Sequence, residues 1–233
     1  MSIEAVGLTD TGRVRVRNED SLLIDPVASL YIIADGMGGH AAGDVASQTA
    51  VAAFAAAFTE TRNAILAMNA ANRAVLERAM AEPDKTGMGT TMTAFTIYNG
   101  TLTGAHVGDS RLYMLRRGVL TQLTRDHTVA QEMIESNALT KREAMQHPMS
   151  AMLTRSLGSR LHVDADLLDR KVEPDDILLL CSDGLSSMVA DEEIQAILNQ
   201  DTELGLLAVE LVDAANVRGG QDNISVGIIR VTG

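Results

Sequence analysis

Apolar residues alternate with polar ones, or run unbroken over short stretches, in a way that predicts strands at Ile3 to Leu8, Ser21 to Ile24 and Leu30 to Ala34. An alanine-rich stretch from about Asp44 to Ala81 predicts two helices with a break near Thr59 to Asn63. Two hairpins follow. Thr91 to Tyr98 and Thr101 to Val107 flank Asn99-Gly100, a pair that suits a type I′ turn, and Arg111 to Leu115 and Val119 to Leu123 turn at Arg117-Gly118. From Thr128 to about Arg160 the pattern breaks into short helical pieces, one opening with the capping box Thr140-x-x-Glu143. Strands at Val163 to Val172, Ile177 to Cys181 and Ile224 to Val231, with helices at Asp191 to Asn199 and Glu203 to Val217, complete the chain. Strands outnumber helices and come mostly in hairpins, so the expected fold is α+β: a sandwich of two antiparallel sheets with paired helices on its outer faces.

Composition narrows the function. The 233 residues are 46% hydrophobic, enough for a core, and no linker or repeat divides them, so a single domain over residues 1–233 is expected. The formal net charge is −12 and only 3% of residues are aromatic, with no Trp. That argues against nucleic acid, whose binding relies on clustered Lys and Arg and on stacking platforms. Cys181 is the one cysteine, which points to a reducing compartment, and as the end of an apolar run it reads as a buried small hydrophobe. The opening MSIEAVGLTDTG has neither the basic nor the apolar region of a secretory signal. The longest uncharged apolar stretch, around Ala46 to Thr59, falls short of the roughly 18 residues a span requires. A cytoplasmic location is expected.

The aspartates carry the chemistry. Asp35 ends the run YIIA, Asp183 follows ILLLCS, Asp109 follows AHVG, Asp222 precedes the last strand and Asp20 precedes the second. Any one Asp-Gly pair is an ordinary turn. Five carboxylates at strand ends, if they converge, repel one another, and divalent cations relieve that repulsion. Hard oxygen donors select Mg²⁺, Mn²⁺ or Ca²⁺ over Zn²⁺.

An ordered set of short motifs accompanies them: RVRNED (Arg15 to Asp20), DGMGGH (Asp35 to His40), GTT (Gly89 to Thr91), HVGDSR (His106 to Arg111), LTRDHT (Leu123 to Thr128), LTRSLG (Leu153 to Gly158), SDGL (Ser182 to Leu185) and GGQDN (Gly219 to Asn223). In this order, along essentially the whole chain, they resemble the metal-dependent type 2C serine/threonine protein phosphatases in their compact bacterial form. The resemblance implies a four-layer αββα sandwich with a two-metal centre at one end. It implies Asp35, Asp183 and Asp222 as metal ligands, the Gly36 carbonyl on the second ion, and Asp20 on bound water with Glu19 behind it. Asp109 with Asp183 would take a third, weaker ion, and Arg15 the substrate phosphate. Asn223, beside Asp222, is expected to orient that carboxylate.

The expected reaction is in-line attack of metal-bound hydroxide on phosphoserine or phosphothreonine, without a phosphoenzyme. The cofactor is Mn²⁺ or Mg²⁺, two ions and a possible third; the partners are phosphoproteins and an opposing Ser/Thr kinase. Animal members carry a histidine where this chain has Met37, which leaves the proton donor open; His40 is one candidate and bound water another. Residues 128–160 correspond to the family's variable flap, where Met133, Met145, Met149 and Met152 offer an adaptable apolar surface for protein substrates. The chain stays acidic with the five aspartates set aside, which favours basic segments around the phosphosite. Among the remaining polar residues, Asp126 and His127 are expected to cap the helix that follows. Thr90 and Thr91 are expected to satisfy backbone groups, and Ser110 and Arg111 to support Asp109.

Rival chemistries fit less well. Gly36 to Ala41 matches the dinucleotide fingerprint G-x-G-x-x-A, yet the region about 20 residues on is alanine-rich helix where a second parallel strand should stand. Gly38 to Gly43 leads into Asp44 and Val45 and lacks the Walker Lys, and Ser187 stands where a cysteine phosphatase would need Arg after Cys181. A phosphoprotein-binding module of the same fold without turnover is the remaining alternative, and intact aspartates at every ligand position weigh against it.

Overall fold

The computed structural model describes residues 2–38, 42–140, 143–144 and 147–233. One sheet runs in the order β1 (Ser2–Asp10), β11 (Ile224–Thr232), β10 (Ile177–Cys181), β7 (Arg111–Arg116), β8 (Val119–Gln122). The other runs β2 (Asp20–Asp25), β3 (Leu30–Met37), β5 (Met92–Tyr98), β6 (Thr101–Val107), β9 (Asp166–Lys171), with the short β4 (Gly89–Thr90) on the end of β3. All pairings are antiparallel. The dinucleotide reading fails here, because β3 pairs antiparallel with β5.

Alternation along each strand sorts side chains into separate cores. On β3, Leu30, Ile32 and Ala34 face helices α1 (Gly43–Thr61) and α2 (Ala64–Ala81), whereas Tyr31 and Ile33 enter the layer between the sheets. On β10, Leu178 and Leu180 meet them there, while Leu179 and Cys181 turn to the opposite helical layer. The αββα sandwich follows from this two-residue period, since each strand has two apolar faces to bury. Full burial of an Ile or Leu side chain contributes about 1.5–3 kcal/mol, so every layer holds its neighbours.

Local signals set the connections. Asn99 and Gly100 have φ of 49° and 69°, and Arg117 and Gly118 have 52° and 80°, as type I′ turns require. Asn63 caps α2 by accepting the Leu66 N–H, and Thr128 caps α3 (Val129–Glu135) by accepting that of Gln131. Asp126 and His127 do not cap that helix, contrary to expectation: Asp126 takes a bidentate ion pair from Arg111, and His127 is buried beside Asp109. The Thr140–Glu143 capping box forms. Met145 lies outside the described residues. Two short elements follow no periodicity: β4, and the single turn α4 (Asp183–Ser186). The last two helices, α5 (Asp191–Leu198) and α6 (Leu204–Val217), cover the first sheet, and strand β9 begins three residues later than its pattern suggests.

Candidate metal centre

The motif aspartates meet at one end of the sandwich because each leaves a strand there. Asp20 opens β2 and stands opposite Asp35 on β3; Asp109 follows β6, Asp183 follows β10 and Asp222 precedes β11. Asp35, Asp109, Asp183 and Asp222 line a cleft of about 530 Å³ together with Arg15, Glu19, Gly36, Ala151, Met152 and Leu153, and Asp20 is buried within charge range of Asp183 and Asp222.

Backbone contacts fix the carboxylates. The Thr91 N–H donates to the Asp35 carbonyl at 2.9 Å, and the Thr91 hydroxyl accepts the Asp35 N–H at 3.0 Å. The Thr90 hydroxyl donates to the same carbonyl at 2.8 Å, so both threonines serve the backbone as expected. Gly36 is a close approach: a Cβ there would lie 2.0 Å from the Gly43 carbonyl and 2.6 Å from that of Glu19. Ser110 hydrogen-bonds the Thr91 hydroxyl at 2.6 Å and Arg111 pairs with Asp126, so neither hydrogen-bonds the Asp109 carboxylate, but the Arg111 charge supports its ionised form from a distance as expected. Asn223 also departs from expectation. Its backbone N–H donates to Asp222 at 2.9 Å, but its side chain ties the loop before β2, donating to the Thr11 and Arg17 carbonyls and accepting the Glu19 N–H. Arg15 projects from that loop and pairs with Asp222 at 2.7 Å. His40 lies outside the described residues.

Two residues near the site take roles that the sequence does not announce. Ser182 donates its hydroxyl proton to Asp20 at 2.8 Å while accepting the Ser225 N–H at 3.0 Å. His127 accepts the Gly108 N–H on Nδ1, donates its own N–H to the Gly108 carbonyl, and its carbonyl accepts the N–H of Thr154. Since Nδ1 accepts, the proton belongs on Nε2, which faces Asp166 at 3.3 Å. Ser182 stands beside Asp183 in sequence, a visible signal; His127 joins Gly108 only through the tertiary fold.

The electrostatics are one-sided. Burial, reinforced by the charges of Asp20, Asp183 and Asp109, raises Asp35 well above the carboxylate range. Burial pushes Asp109 up to about 8, with Asp183 and Asp126 adding to it, and Asp20 to about 7, against the hydrogen bonds of Ser225 and Ser182. Asp183 is raised by burial and by Asp222. Asp20 Oδ1 and Asp183 Oδ1 are buried without a hydrogen-bond partner among the described residues. An orphaned carboxylate oxygen is costly, and two in one cluster mark a missing positive charge. The donor set is all oxygen, which suits Mg²⁺ or Mn²⁺. Among the described residues no three acidic or imidazole side chains close around one point, so ions here would keep carbonyl and water ligands as well, as such cations do.

Comparison with known proteins agrees with this geometry. Residues 13–206 match the family described as protein phosphatase 2C. The chain is 38% identical to the serine/threonine phosphatase stp of Listeria monocytogenes, over 95% of this chain and 93% of that protein. It is 41% identical to the serine/threonine protein phosphatase PstP of Mycobacterium tuberculosis, over 96% of this chain and 44% of that protein. The crystal structure of the M. tuberculosis phosphatase superposes with a TM-score of 0.93 at 39% identity, covering 100% of both chains. The PstP catalytic domain solved with two manganese ions superposes with a TM-score of 0.90 at 38% identity, covering 99% of each. With the αββα sandwich, the motif order and the carboxylate cluster in place, this chain belongs to the protein phosphatase 2C family.

Proposed function

We propose that the protein is a Mn²⁺- or Mg²⁺-dependent phosphatase that removes phosphate from phosphoserine and phosphothreonine side chains of proteins. The observation that carries this reading is the convergence of four strand-end aspartates on a cleft that also holds Arg15, with Asp20 buried within charge range of them and one oxygen each of Asp20 and Asp183 orphaned among the described residues. Asp35, Asp183, Asp222 and the Gly36 carbonyl would hold two ions, with Asp20 and Glu19 behind them and Asp109 with Asp183 available to a third. Such ions, when bound, supply positive charge against the phosphoryl group and acidify water at neutral pH.

The chain's own residues do the rest. Arg15 uses Nη2 on Asp222, which leaves its other donors for phosphoryl oxygens in the fork geometry of a guanidinium. Ser182 holds a proton toward Asp20 Oδ2 and so keeps the other oxygen of that carboxylate facing the cluster. Asn223 fixes the backbone that carries Arg15. Ala151, Met152 and Leu153 wall the cleft on the flap side and limit water there.

The reading places the enzyme against a Ser/Thr kinase, in a reducing compartment compatible with the buried Cys181 thiol, and assigns residues 128–160 to substrate selection. Among the described residues no helix is long and apolar enough to cross a membrane. Hydrolysis of p-nitrophenyl phosphate and a phosphothreonine peptide with Mn²⁺, with Mg²⁺ and with EDTA tests it. Turnover should require the metal and vanish in Asp35→Asn; folded protein that binds phosphopeptide without turning it over would be a binding module.

A further inference from the structure

The loop that presents Arg15 reads Arg13-Val14-Arg15-Val16-Arg17, and all five residues are exposed. Val14 and Val16 are 65% and 95% exposed. Five exposed residues in a row describe a floppy loop in most proteins, but this backbone is tied down. Gly12 N–H donates to Asp10, Arg13 N–H to the Gly220 carbonyl at 2.7 Å, and the Asn223 amide to the carbonyls of Thr11 and Arg17. The chain therefore holds three arginines on a fixed rim.

Only Arg15 has a carboxylate partner; Arg13 and Arg17 form no ion pair among the described residues. In a chain with 31 acidic and 19 basic residues, two unpaired arginines beside the cleft are a local reversal of sign. Each is two residues from Arg15, at most about 7 Å along the backbone. Both therefore stand on the same short loop as the side chain proposed to hold the phosphate. Charges farther than about one Debye length, ~8 Å at physiological ionic strength, are largely screened from a bound segment, so the arginines nearest it weigh more than the whole-molecule charge that favours basic segments.

We propose that Arg13 and Arg17 form a docking strip for acidic residues of the substrate polypeptide that flank the phosphoresidue, with Val14 and Val16 packing against its apolar side chains. This rests on the phosphatase reading and deepens it. The cleft is also lined by Met152, which is 53% exposed, so a bound segment meets both charge and an adaptable apolar side chain.

The test separates docking from chemistry. Phosphothreonine peptides with Asp, Ala or Lys around the phosphoresidue are compared for turnover, and their non-hydrolysable phosphonate analogues for binding by fluorescence anisotropy. The comparison is made with wild type and with the double variant Arg13→Gln, Arg17→Gln. Two exposed pairs predict about a three- to tenfold tighter Kd and lower KM for the Asp peptide than for the Ala peptide, shrinking as NaCl rises. The double variant should lose that preference and keep its turnover of p-nitrophenyl phosphate and of the Ala peptide. Equal binding of Asp, Ala and Lys analogues by wild type, or a preference that survives in the double variant, overturns the strip. Absence of turnover from every peptide would overturn the phosphatase reading instead, and the anisotropy series would still decide the strip.

Discussion

The two ends of the sandwich solve the same problem in opposite ways. At the end remote from the cleft, where β7 finishes and β10 begins, Asp176 is 1% exposed, yet both its oxygens are satisfied. Arg116 donates to them at 2.7 and 2.6 Å and the Glu173 N–H adds a third bond at 2.7 Å. At the cleft end, Asp20, Asp35, Asp109 and Asp183 face one another, Arg15 reaches only Asp222, and two oxygens have no partner among the described residues. One cluster is complete within the chain; the other is complete only with cations from outside. A buried carboxylate paired by an arginine is structure, whereas a cluster left with surplus charge at a cleft is chemistry waiting for a ligand.

Equivalent substitutions at the two ends should break this contrast most visibly. Asp183→Asn should reduce metal-dependent turnover by more than about 100-fold if, as proposed, Asp183 holds the ions, while raising the melting temperature of metal-free protein by relieving repulsion. Asp176→Asn should do the reverse. Turnover should be retained while stability falls by roughly 2–3 kcal/mol, below the full cost of breaking a buried pair because Arg116 is partly exposed. Chemical denaturation and steady-state kinetics on both variants check this pair of outcomes.

A subtler difference lies in pH. Asp20 and Asp109 hold protons in the folded state up to about 7 and about 8, whereas the unfolded chain releases them near 3.8. Groups with raised pKa stabilise the fold at low pH and lose that contribution as pH climbs through the folded value. Metal-free protein should therefore melt a few degrees lower at pH 8.5 than at pH 7.5. Below that window the opposite effect enters, because burial depresses His106 to about 4 and its unfolded form takes up a proton first. Calorimetric scans in EDTA across pH 7.5 to 8.5 measure the carboxylate effect with little opposing contribution from the depressed His106 and His127, and a flat profile would deny it.

The strands that carry the aspartates were legible because each buries two faces, so β3, β10 and β11 read as near-continuous apolar runs ending in Asp or beginning after it. The hairpins were legible because Asn99-Gly100 and Arg117-Gly118 accept positive φ. Strand β4 and helix α4 were not, for they are two and four residues long and owe their conformation to pairing with Gly36 and Met37 and to the turn at Ser182. His127 was misread as a cap because local pattern sees Thr128 and Val129 ahead of it, while its real partner, Gly108, sits 19 residues back across the fold. Asn223 was assigned to its neighbour Asp222, and only the return of the chain to β11 reveals that its side chain serves the Arg15 loop instead.

Buried carboxylates that hold protons at the cleft end should give them up when divalent cations bind there. Titration of metal-free protein with Mn²⁺ by isothermal calorimetry at pH 7, repeated in buffers of different ionisation enthalpy, tests it directly. Saturable binding of two ions with a buffer-dependent heat, showing protons displaced from the cluster, and loss of that signal in Asp35→Asn is the predicted result. An absence of saturable binding, or binding that Asp35→Asn leaves intact, would contradict it.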